Sequence, residues 1–245
     1  MHRFYVTAEQ VERDKIVIVG GDVNHIRNVL RLLQGEAIMV CDGNSTDYCC
    51  RIESIESDHV ICEIEKTESS QTELPAKLYL FQALPKNDKM EFVIQKAVEL
   101  GAACIVPVST SRCVVRLDEK KAVKKQERWQ KIAEAASKQC NRGVIPEVKL
   151  PVSLTEAFDI AKTLEYNIMP YECASGMDGA REIVAHAVQA KSIGILIGPE
   201  GGFEEEEVAQ AVAAGCHILS LGKRILRTET AGLALLSVLM FHLEV

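Results

Sequence analysis

Apolar and polar positions alternate with a short period over the first third of the chain. The short apolar or alternating segments lie at residues 16–19, 37–41, 47–52 and 59–65. They are separated by pairs of turn-forming residues, Gly20-Gly21, Gly43-Asn44 and Ser57-Asp58. Period-two segments bounded by such residues are typical of β-strands. We therefore expect residues 1–72 to form a small β domain.

The segment after Asp22 breaks this pattern. Its apolar residues recur at helical spacing, at Val23, Ile26, Val29 and Leu30. This spacing predicts a short helix whose exposed side carries His25, Arg27 and Arg31. Such a basic face is either a solvated surface or a contact for phosphate groups, which arginine can grip bidentately.

After the polar segment 68–75, which ends in Pro75 and is predicted to link two domains, strands alternate with helices. The predicted strands are residues 78–83, 104–108, 166–170, 193–197 and 218–221. The predicted helices are residues 88–100, 118–140, 153–164, 178–190 and 230–243. This order is typical of an α/β fold with a mainly parallel sheet and helices on both faces, here over residues 73–245.

Composition places the chain among globular proteins, with 47% hydrophobic and 26% charged residues. No apolar run reaches the length of a membrane span, and the start MHRFYV has no apolar signal region, so we expect a cytoplasmic protein that does not contact membranes. The nine cysteines and six histidines show no spacing typical of metal ligands. We expect reduced thiols and no metal.

Charge is unevenly distributed along the chain, whose formal net charge is −7. From Glu53 to Glu73 seven acidic residues accompany one base, whereas from Arg116 to Arg142 nine lysines and arginines accompany four acids. A segregated basic stretch can bind RNA although the whole protein is acidic.

Two turns near the carboxyl end hold the most specific pattern. The first, Gly198-Pro-Glu-Gly-Gly202, follows an apolar strand, but it has neither P-loop nor GxGxxG spacing. The glutamates at 204–207 suit a helix N-terminus and would repel phosphate. The second turn, 219–231, leads into an apolar helix and read alone is equally well an ordinary turn capped by Thr228. Turns at the carboxyl ends of parallel strands are where α/β sheets bind ligands.

Together, these GPEGG and LG-x-x-ILR-x-ETA sequences resemble the bacterial 16S ribosomal RNA uridine N3-methyltransferase family (the RsmE type), a branch of the SPOUT methyltransferases. Weaker resemblances lie in the H-x-x-x-VLR element at His25 and the Q-x-x-R-x-x-x-P turn at Gln139. The resemblance implies a PUA-like β-barrel followed by a trefoil-knotted methyltransferase domain. It also implies S-adenosylmethionine as methyl donor, 16S RNA of the small ribosomal subunit as substrate, and a homodimer.

The resemblance also implies roles for individual residues. The donor site is expected at Ile197, Gly198, Pro199, Glu200, Gly201, Gly202, Leu219, Ser220, Leu221, Gly222, Ile225 and Leu226, with a third wall from Tyr171-Glu172. The RNA is expected at His25, Arg27, Arg31, Lys86, Lys89, Lys96, Arg112, Gln139 and Arg142. Because uracil N3 must lose a proton during attack, Glu229 or Glu200 is the expected proton acceptor and Arg227 the stabiliser of negative charge on the uracil oxygen. A helix-capping Glu229 that pairs with Arg227 is the alternative.

Other functions remain open at this point. A SPOUT methyltransferase for another RNA nucleotide would keep the fold and the donor. A non-catalytic RNA-binding protein would keep the basic surfaces, although the intact glycine turns argue against it. A nicotinamide dehydrogenase is disfavoured because no GxGxxG follows the first strand of the α/β part.

Overall fold

In the computed structural model the chain forms two units. The structure describes residues 1–174 and 176–244. Ser175 and Val245, both within the predicted second domain, lie outside the described residues. The first unit consists of Met1–Glu73 and Ser137–Ile145, and the second of Leu74–Ala136 and Pro146–Val245. Residues 137–145 therefore group with the first unit although they lie in the predicted second domain.

The first unit is built on a six-stranded sheet. Its strands are β1 (Arg3–Tyr5), β2 (Val11–Glu12), β3 (Lys15–Val19), β4 (Ala37–Cys41), β5 (Thr46–Ile55) and β6 (His59–Ser69). They lie in the order β1-β4-β5-β6-β3-β2, and each neighbouring pair except β1–β4 is antiparallel. Alternate residues such as Ile16, Ile18, Ile38 and Val40 are fully buried and form its core.

The predicted helix in this unit takes an unusual form. A single turn, α1 (Gly21–Asn24), continues as a π-helix, His25–Leu30, and ends at Arg31 in the left-handed region with φ 55°. Val23 and Ile26 are buried as expected, but Val29 is 61% exposed. The wider π-helical turn displaces Val29 from the face that α-helical spacing assigns to it.

Residues 137–145 are bound to the first unit by polar groups. The Tyr5 hydroxyl contacts the carbonyl oxygens of Ser137, at 3.0 Å, and Arg142. The Glu73 carboxylate accepts hydrogen bonds from the amides of Gly143 and Val144 and pairs with the guanidinium of Arg142. These contacts satisfy backbone groups that a turn leaves unpaired.

The second unit contains a sheet in which every strand pair is parallel. Its strands are β7 (Lys77–Ala83), β8 (Ala102–Ser109), β9 (Glu147–Val148), β10 (Val152–Ser153), β11 (Tyr166–Pro170), β12 (Ser192–Ile197) and β13 (Cys216–Leu219). They lie in the order β10-β8-β7-β12-β11-β13, and β9 also pairs with β8. The predicted α/β fold with a mainly parallel sheet is confirmed.

In the part of the chain that the structure describes, six helices belong to this α/β pattern. They are α2 (Lys89–Glu99), α3 (Glu119–Gln139), α4 (Leu154–Ala161), α5 (Met177–Ala187), α6 (Glu205–Ala213) and α7 (Thr228–Leu243). Asp88 precedes α2, Gly101 follows it with φ 86°, and a capping box of Ser153 and Glu156 opens α4. In α3, Trp129 is buried, whereas Val123 is 46% exposed.

Helices cover both faces of the parallel sheet. Phe81 of β7 packs in a core cluster with Phe158 of α4 and Ala211 of α6. The residues on either side of Phe81 point to the opposite face, where Gly232 brings α7 close to Leu80 and Gln82. Burial on both faces accounts for the continuous apolar runs of these strands. None of the helices in residues 1–174 or 176–244 has the length and apolar character needed to cross a bilayer.

Candidate functional site

The two predicted turns meet at the carboxyl ends of β12 and β13. The glycine turn follows β12, the second turn follows β13, and β11 lies between the two strands in the sheet. Two adjoining cavities of about 420 and 440 Å³ lie there. Both are lined by Pro170, Glu172, Ile225, Leu226 and Ala231, so they form one continuous recess. We call this recess the loop cavity.

The glycine turn forms one wall of the loop cavity. It is closed by a 2.9 Å hydrogen bond from the Gly202 amide to the Pro199 carbonyl oxygen, and Gly202 has φ 70°. A Cβ at Gly202 would lie 2.9 Å from the Glu172 carboxylate. Only glycine therefore fits this position without strain or displacement of Glu172.

The second turn forms the opposite wall. Leu219 is the last residue of β13, so the predicted strand over 218–221 is two residues too long, and Ser220 and Leu221 line the cavity instead. The Ser220 hydroxyl accepts a 3.2 Å hydrogen bond from the amide of Gly222, whose φ is 106°. Ile225 is 91% exposed beside this turn, and it lines the recess together with Leu226. Exposed apolar side chains of this kind suit a flat aromatic ligand.

A cluster of charged groups lies at the glycine-turn end of the cavity. Lys89 Nζ, at the start of α2, lies 3.4 Å from Glu200 Oε1 and 3.3 Å from Glu229 Oε2. The Lys86 amide also donates a 3.1 Å hydrogen bond to Glu200. Arg227 is exposed, lines the cavity and is the residue that precedes α7.

The charge environment sets the ionisation of Glu200. Burial acts to raise the pKa of its carboxyl group, but hydrogen bonds from its own amide and that of Lys86, together with the ammonium group of Lys89, outweigh burial and lower the pKa. Glu200 is therefore ionised at neutral pH, and these contacts hold its carboxylate in place. A carboxylate in this state binds a cation better than it accepts a proton.

The residues predicted to bind the donor lie on this recess with few exceptions. Ile197 to Gly202 line it on one side, and Ser220 to Gly222 with Ile225 and Leu226 line it on the other. Leu219 instead lines an apolar groove between α5 and α7, which shares Ser220, Leu221 and Leu226 with the loop cavity. Glu172, from the predicted third wall, lines both halves of the recess.

Most of the residues predicted to bind RNA are exposed. His25, Arg27, Arg31 and Gln139 in the first unit are exposed, as are Lys86 and Arg112 in the second. Lys96 pairs with Glu99 on its own helix, and Arg112 donates a 2.8 Å hydrogen bond to the Gly201 carbonyl oxygen. Lys89 belongs to the charged cluster described above.

Arg142 departs from the prediction. Its side chain is only 6% exposed, and its guanidinium group pairs with the carboxylate of Glu73. As placed in the structure, Arg142 is a buried part of the first unit and is not available at its surface. The sequence pattern did not predict this burial, because the partner Glu73 lies 69 residues earlier in the chain.

Two residues near the cavity were not among the predicted site residues. Gln82 interrupts an apolar strand and is fully buried. Thr228, a capping residue in the alternative interpretation of the second turn, is instead the first residue of α7, and its hydroxyl turns inward to the Gly198 carbonyl oxygen at 2.6 Å. A lone glutamine within an apolar run is the one local clue to this arrangement.

The cysteines of the parallel sheet are buried thiols. Burial raises the pKa of Cys104 to about 12 and of Cys216 to about 11. Within the described residues, no three side chains of the types that bind metals lie together.

Comparison with known proteins identifies the family. A family profile described as an RNA methyltransferase domain matches residues 72–240, and an RNA methyltransferase PUA domain matches residues 19–65. The ribosomal RNA small subunit methyltransferase E of Bacillus subtilis is 36% identical over 250 residues, covering 100% of this chain and 98% of the relative. That of Aquifex aeolicus is 31% identical, with 98% and 99% covered.

Solved structures give the same result. The ribosomal RNA small subunit methyltransferase E of Neisseria gonorrhoeae, crystallised with S-adenosyl methionine, superposes with a TM-score of 0.82 at 33% identity, covering 99% of this chain and 98% of the other. A methyltransferase of Legionella pneumophila in complex with SAM superposes with a TM-score of 0.81 at 35% identity, covering 98% and 97%. With its parallel α/β fold, its PUA domain and its two glycine-bearing turns around one recess, the chain belongs to the ribosomal RNA small subunit methyltransferase E family.

Proposed function

We propose that the protein transfers a methyl group from S-adenosylmethionine to N3 of one uridine in the decoding region of 16S ribosomal RNA, within the assembled small subunit. The observation that carries this proposal is the convergence of the glycine turn and the second turn on a single recess in a methyltransferase fold. The relatives that superpose over the whole chain, and were crystallised with the same donor, support it.

The loop cavity fits this donor. Its two halves, of about 420 and 440 Å³, are within the size range of small-molecule sites. Leu221, Ile225 and Leu226 offer apolar surface for an adenine ring. The carboxylates of Glu172 and Glu200 offer negative charge for the sulfonium and amino groups. When bound, S-adenosylmethionine supplies an activated methyl group.

The charged cluster supports distinct roles for the three predicted catalytic residues. We assign Glu229 as the group that accepts the uracil N3 proton, because it lies in the first turn of α7 and pairs with Lys89, which lines the recess. We assign Arg227 to stabilise negative charge on the uracil oxygen, since its side chain is exposed beside the recess. Glu200, whose pKa is lowered, holds Lys89 and the donor's positive charge. The walls of the recess align the reactants and exclude water.

The basic surfaces support an RNA substrate. We propose that the exposed residues His25, Arg27 and Arg31, the exposed residues Lys86 and Arg112, and Gln139 contact RNA, chiefly at phosphates. A base held within folded RNA must be turned outward to reach the recess. The cytoplasm, where ribosomes are assembled, is the corresponding location.

We also propose the homodimer and the trefoil knot that the family resemblance implies. The apolar groove between α5 and α7 supports the dimer: it has a volume of about 670 Å³ and is lined by Val184, Leu235 and Val238. Phe241 on the same terminal helix is 76% exposed. Sedimentation equilibrium would test this, and Val238→Asp is expected to yield monomers, since a buried carboxylate opposes apolar association.

Mass mapping of 16S RNA from a strain that lacks the gene tests the proposed reaction. Loss of one N3-methyluridine, restored by the wild-type gene and not by an Arg227→Ala variant, is the expected result. Purified protein should methylate unmodified small subunits faster than naked RNA. Loss of a methyl group on another nucleotide would instead favour a different acceptor, and failure of the protein to bind S-adenosylmethionine in calorimetry would favour a non-catalytic RNA-binding protein.

A further inference from the structure

Gln82 is a polar side chain in the most apolar part of the sheet. It is fully buried in β7, where it pairs in register with Ile197, the last residue of β12 before the glycine turn. Its Oε1 atom has no hydrogen-bond partner among the described residues. A buried amide that is only partly satisfied costs stability compared with an apolar side chain of similar size. Packing therefore does not account for a glutamine at this position.

The direction of the hydrogen bonds around Gln82 follows from the geometry. The Thr228 hydroxyl lies 2.6 Å from the Gly198 carbonyl oxygen, which can only accept, so the hydroxyl donates its single proton there. Gln82 Nε2 lies 2.8 Å from the same hydroxyl oxygen and must donate to it. Its second proton points to the Ala83 carbonyl oxygen at 3.1 Å. The amide orientation is fixed by this order.

This chain of hydrogen bonds, which we call the Gln82 relay, connects three elements of the loop cavity. It begins at the end of β7, passes through the first residue of α7 and ends on the first residue of the glycine turn. Thr228 lies between Arg227 and Glu229, so the relay also fixes the backbone that presents these two side chains. Thr228 is 5% exposed, which shields the relay from competing water.

The close packing of α7 supports the relay. A Cβ at Gly232, one turn after Thr228, would lie 3.3 Å from Ile197 Cγ1 and 3.4 Å from Gln82 Oε1. Glycine at this position lets the helix backbone approach the sheet closely. The start of α7 is thus held against β7 and β12 by packing on one side and by the relay on the other.

We infer that Gln82 and Thr228 are positioning residues for methyl transfer, which hold the Gly198 carbonyl and the start of α7 in the geometry that the donor requires. The inference rests on the proposed function, because it assigns the loop cavity to S-adenosylmethionine. Neither residue needs to touch the reacting atoms. Their effect passes through the glycine turn and through the backbone on either side of Thr228.

Substitutions at Thr228 test the relay, with calorimetric affinity for S-adenosylmethionine and single-turnover methylation of small subunits as readouts. Thr228→Val keeps the shape and removes the hydroxyl, and we expect about a tenfold loss of donor affinity, together with slower turnover. Thr228→Ser keeps the hydroxyl and should restore affinity to within about threefold of wild type. If the Thr228 hydroxyl only stabilised the fold, Thr228→Val would lower the unfolding midpoint, and the two folded variants would bind the donor equally well.

Thr163→Val is the matched control. The Thr163 hydroxyl also donates to a carbonyl oxygen, that of Ile160 at 2.7 Å, but at the exposed end of α4. This variant should bind the donor as wild type does. If Thr228→Val does not fold, Gln82→Met tests the relay instead. This variant keeps the Thr228 hydroxyl and removes only the amide group that donates to it. Wild-type affinity and turnover in either relay variant, or loss of folding in both, would overturn the inference. Failure of the wild-type protein itself to bind the donor would instead overturn the proposed function.

Discussion

Lys89 Nζ lies 3.3 Å from Glu229 Oε2 at the edge of the loop cavity. The same ammonium group lies 3.4 Å from Glu200, so one cation separates two carboxylates that belong to the two different turns. Like charges brought this close without a cation would repel each other. Lys89 is therefore an integral part of the charged cluster, whether or not RNA also approaches it.

Lys89→Met should impair methylation by disturbing both carboxylates. We expect turnover to fall by roughly tenfold or more, since the variant removes a positioned charge from a partly buried site. Rates of methyl transfer to small subunits, measured at saturating donor and RNA, provide the test. Lys162→Met, which removes an exposed lysine paired with Asp159 on α4, is the control and should retain the wild-type rate. Equal rates for both variants would contradict the role of Lys89.

Glu200→Gln should change how stability depends on pH. The pKa of Glu200 in the folded protein lies below its ordinary value of 4.5, so its charge stabilises the fold above that value, and this stabilisation is lost as the pH falls through the lowered pKa. The difference in unfolding free energy between wild type and variant should thus be largest near neutral pH and shrink below 4.5. Urea unfolding between pH 3 and 7 measures it. Glu182→Gln, at an exposed position on α5, is the control; a difference for Glu200→Gln that grows towards acid pH would refute the assignment.

Local sequence patterns predict most of the helices and strands. They do not predict where each element ends or which charged side chains pair. The apolar run at 218–221 continues past the strand because β13 ends where its neighbour does: Leu219 pairs with Pro170, the last residue of β11. No feature of residues 220 and 221 themselves records where β11 ends.

In the candidate site, too, local sequence patterns predict some features and miss others. Glycines and apolar residues mark both turns in the sequence, and the structure brings them to one recess. Lys89 and Arg142 look alike in the sequence as basic residues near expected RNA contacts. Their partners lie more than 60 residues away, at Glu229 and Glu73, so only the tertiary structure separates them.

Gly202→Ala should weaken donor binding beyond its effect on stability. At φ 70° an alanine costs about 1 kcal/mol or more, and its Cβ would also displace the Glu172 carboxylate 2.9 Å away. Gly215→Ala is a matched control, because Gly215 has φ 87° and nothing within 4 Å of the added Cβ. Both variants should lose comparable stability in urea, and only Gly202→Ala should lose affinity in calorimetry. Equal affinities would show that the Glu172 contact does not shape the cavity.

Arg142→Met should act on stability. It leaves the partly buried Glu73 carboxylate without its charged partner, and breaking a buried pair in this way costs about 3 kcal/mol or more. The unfolding midpoint should fall clearly. Arg27→Gln, at an exposed position, should leave the midpoint unchanged and reduce both RNA affinity and its salt dependence. If Arg142→Met folded with wild-type stability yet bound RNA weakly, Arg142 would be an RNA ligand after all.

Thiol alkylation should distinguish the exposed Cys173 from cysteines that are buried in the two sheets. Burial raises the pKa of Cys62 and Cys104 to about 12, so at pH 8 few of these thiols are ionised, and iodoacetamide reacts with the thiolate. Cys173 is exposed directly after Glu172, which lines the loop cavity. Mass spectrometry should show rapid labelling of Cys173, slower labelling when S-adenosylmethionine is bound, and labelling of Cys104 only in denaturant. Labelling of Cys104 as fast as Cys173 would mean that the strand which carries it opens in solution.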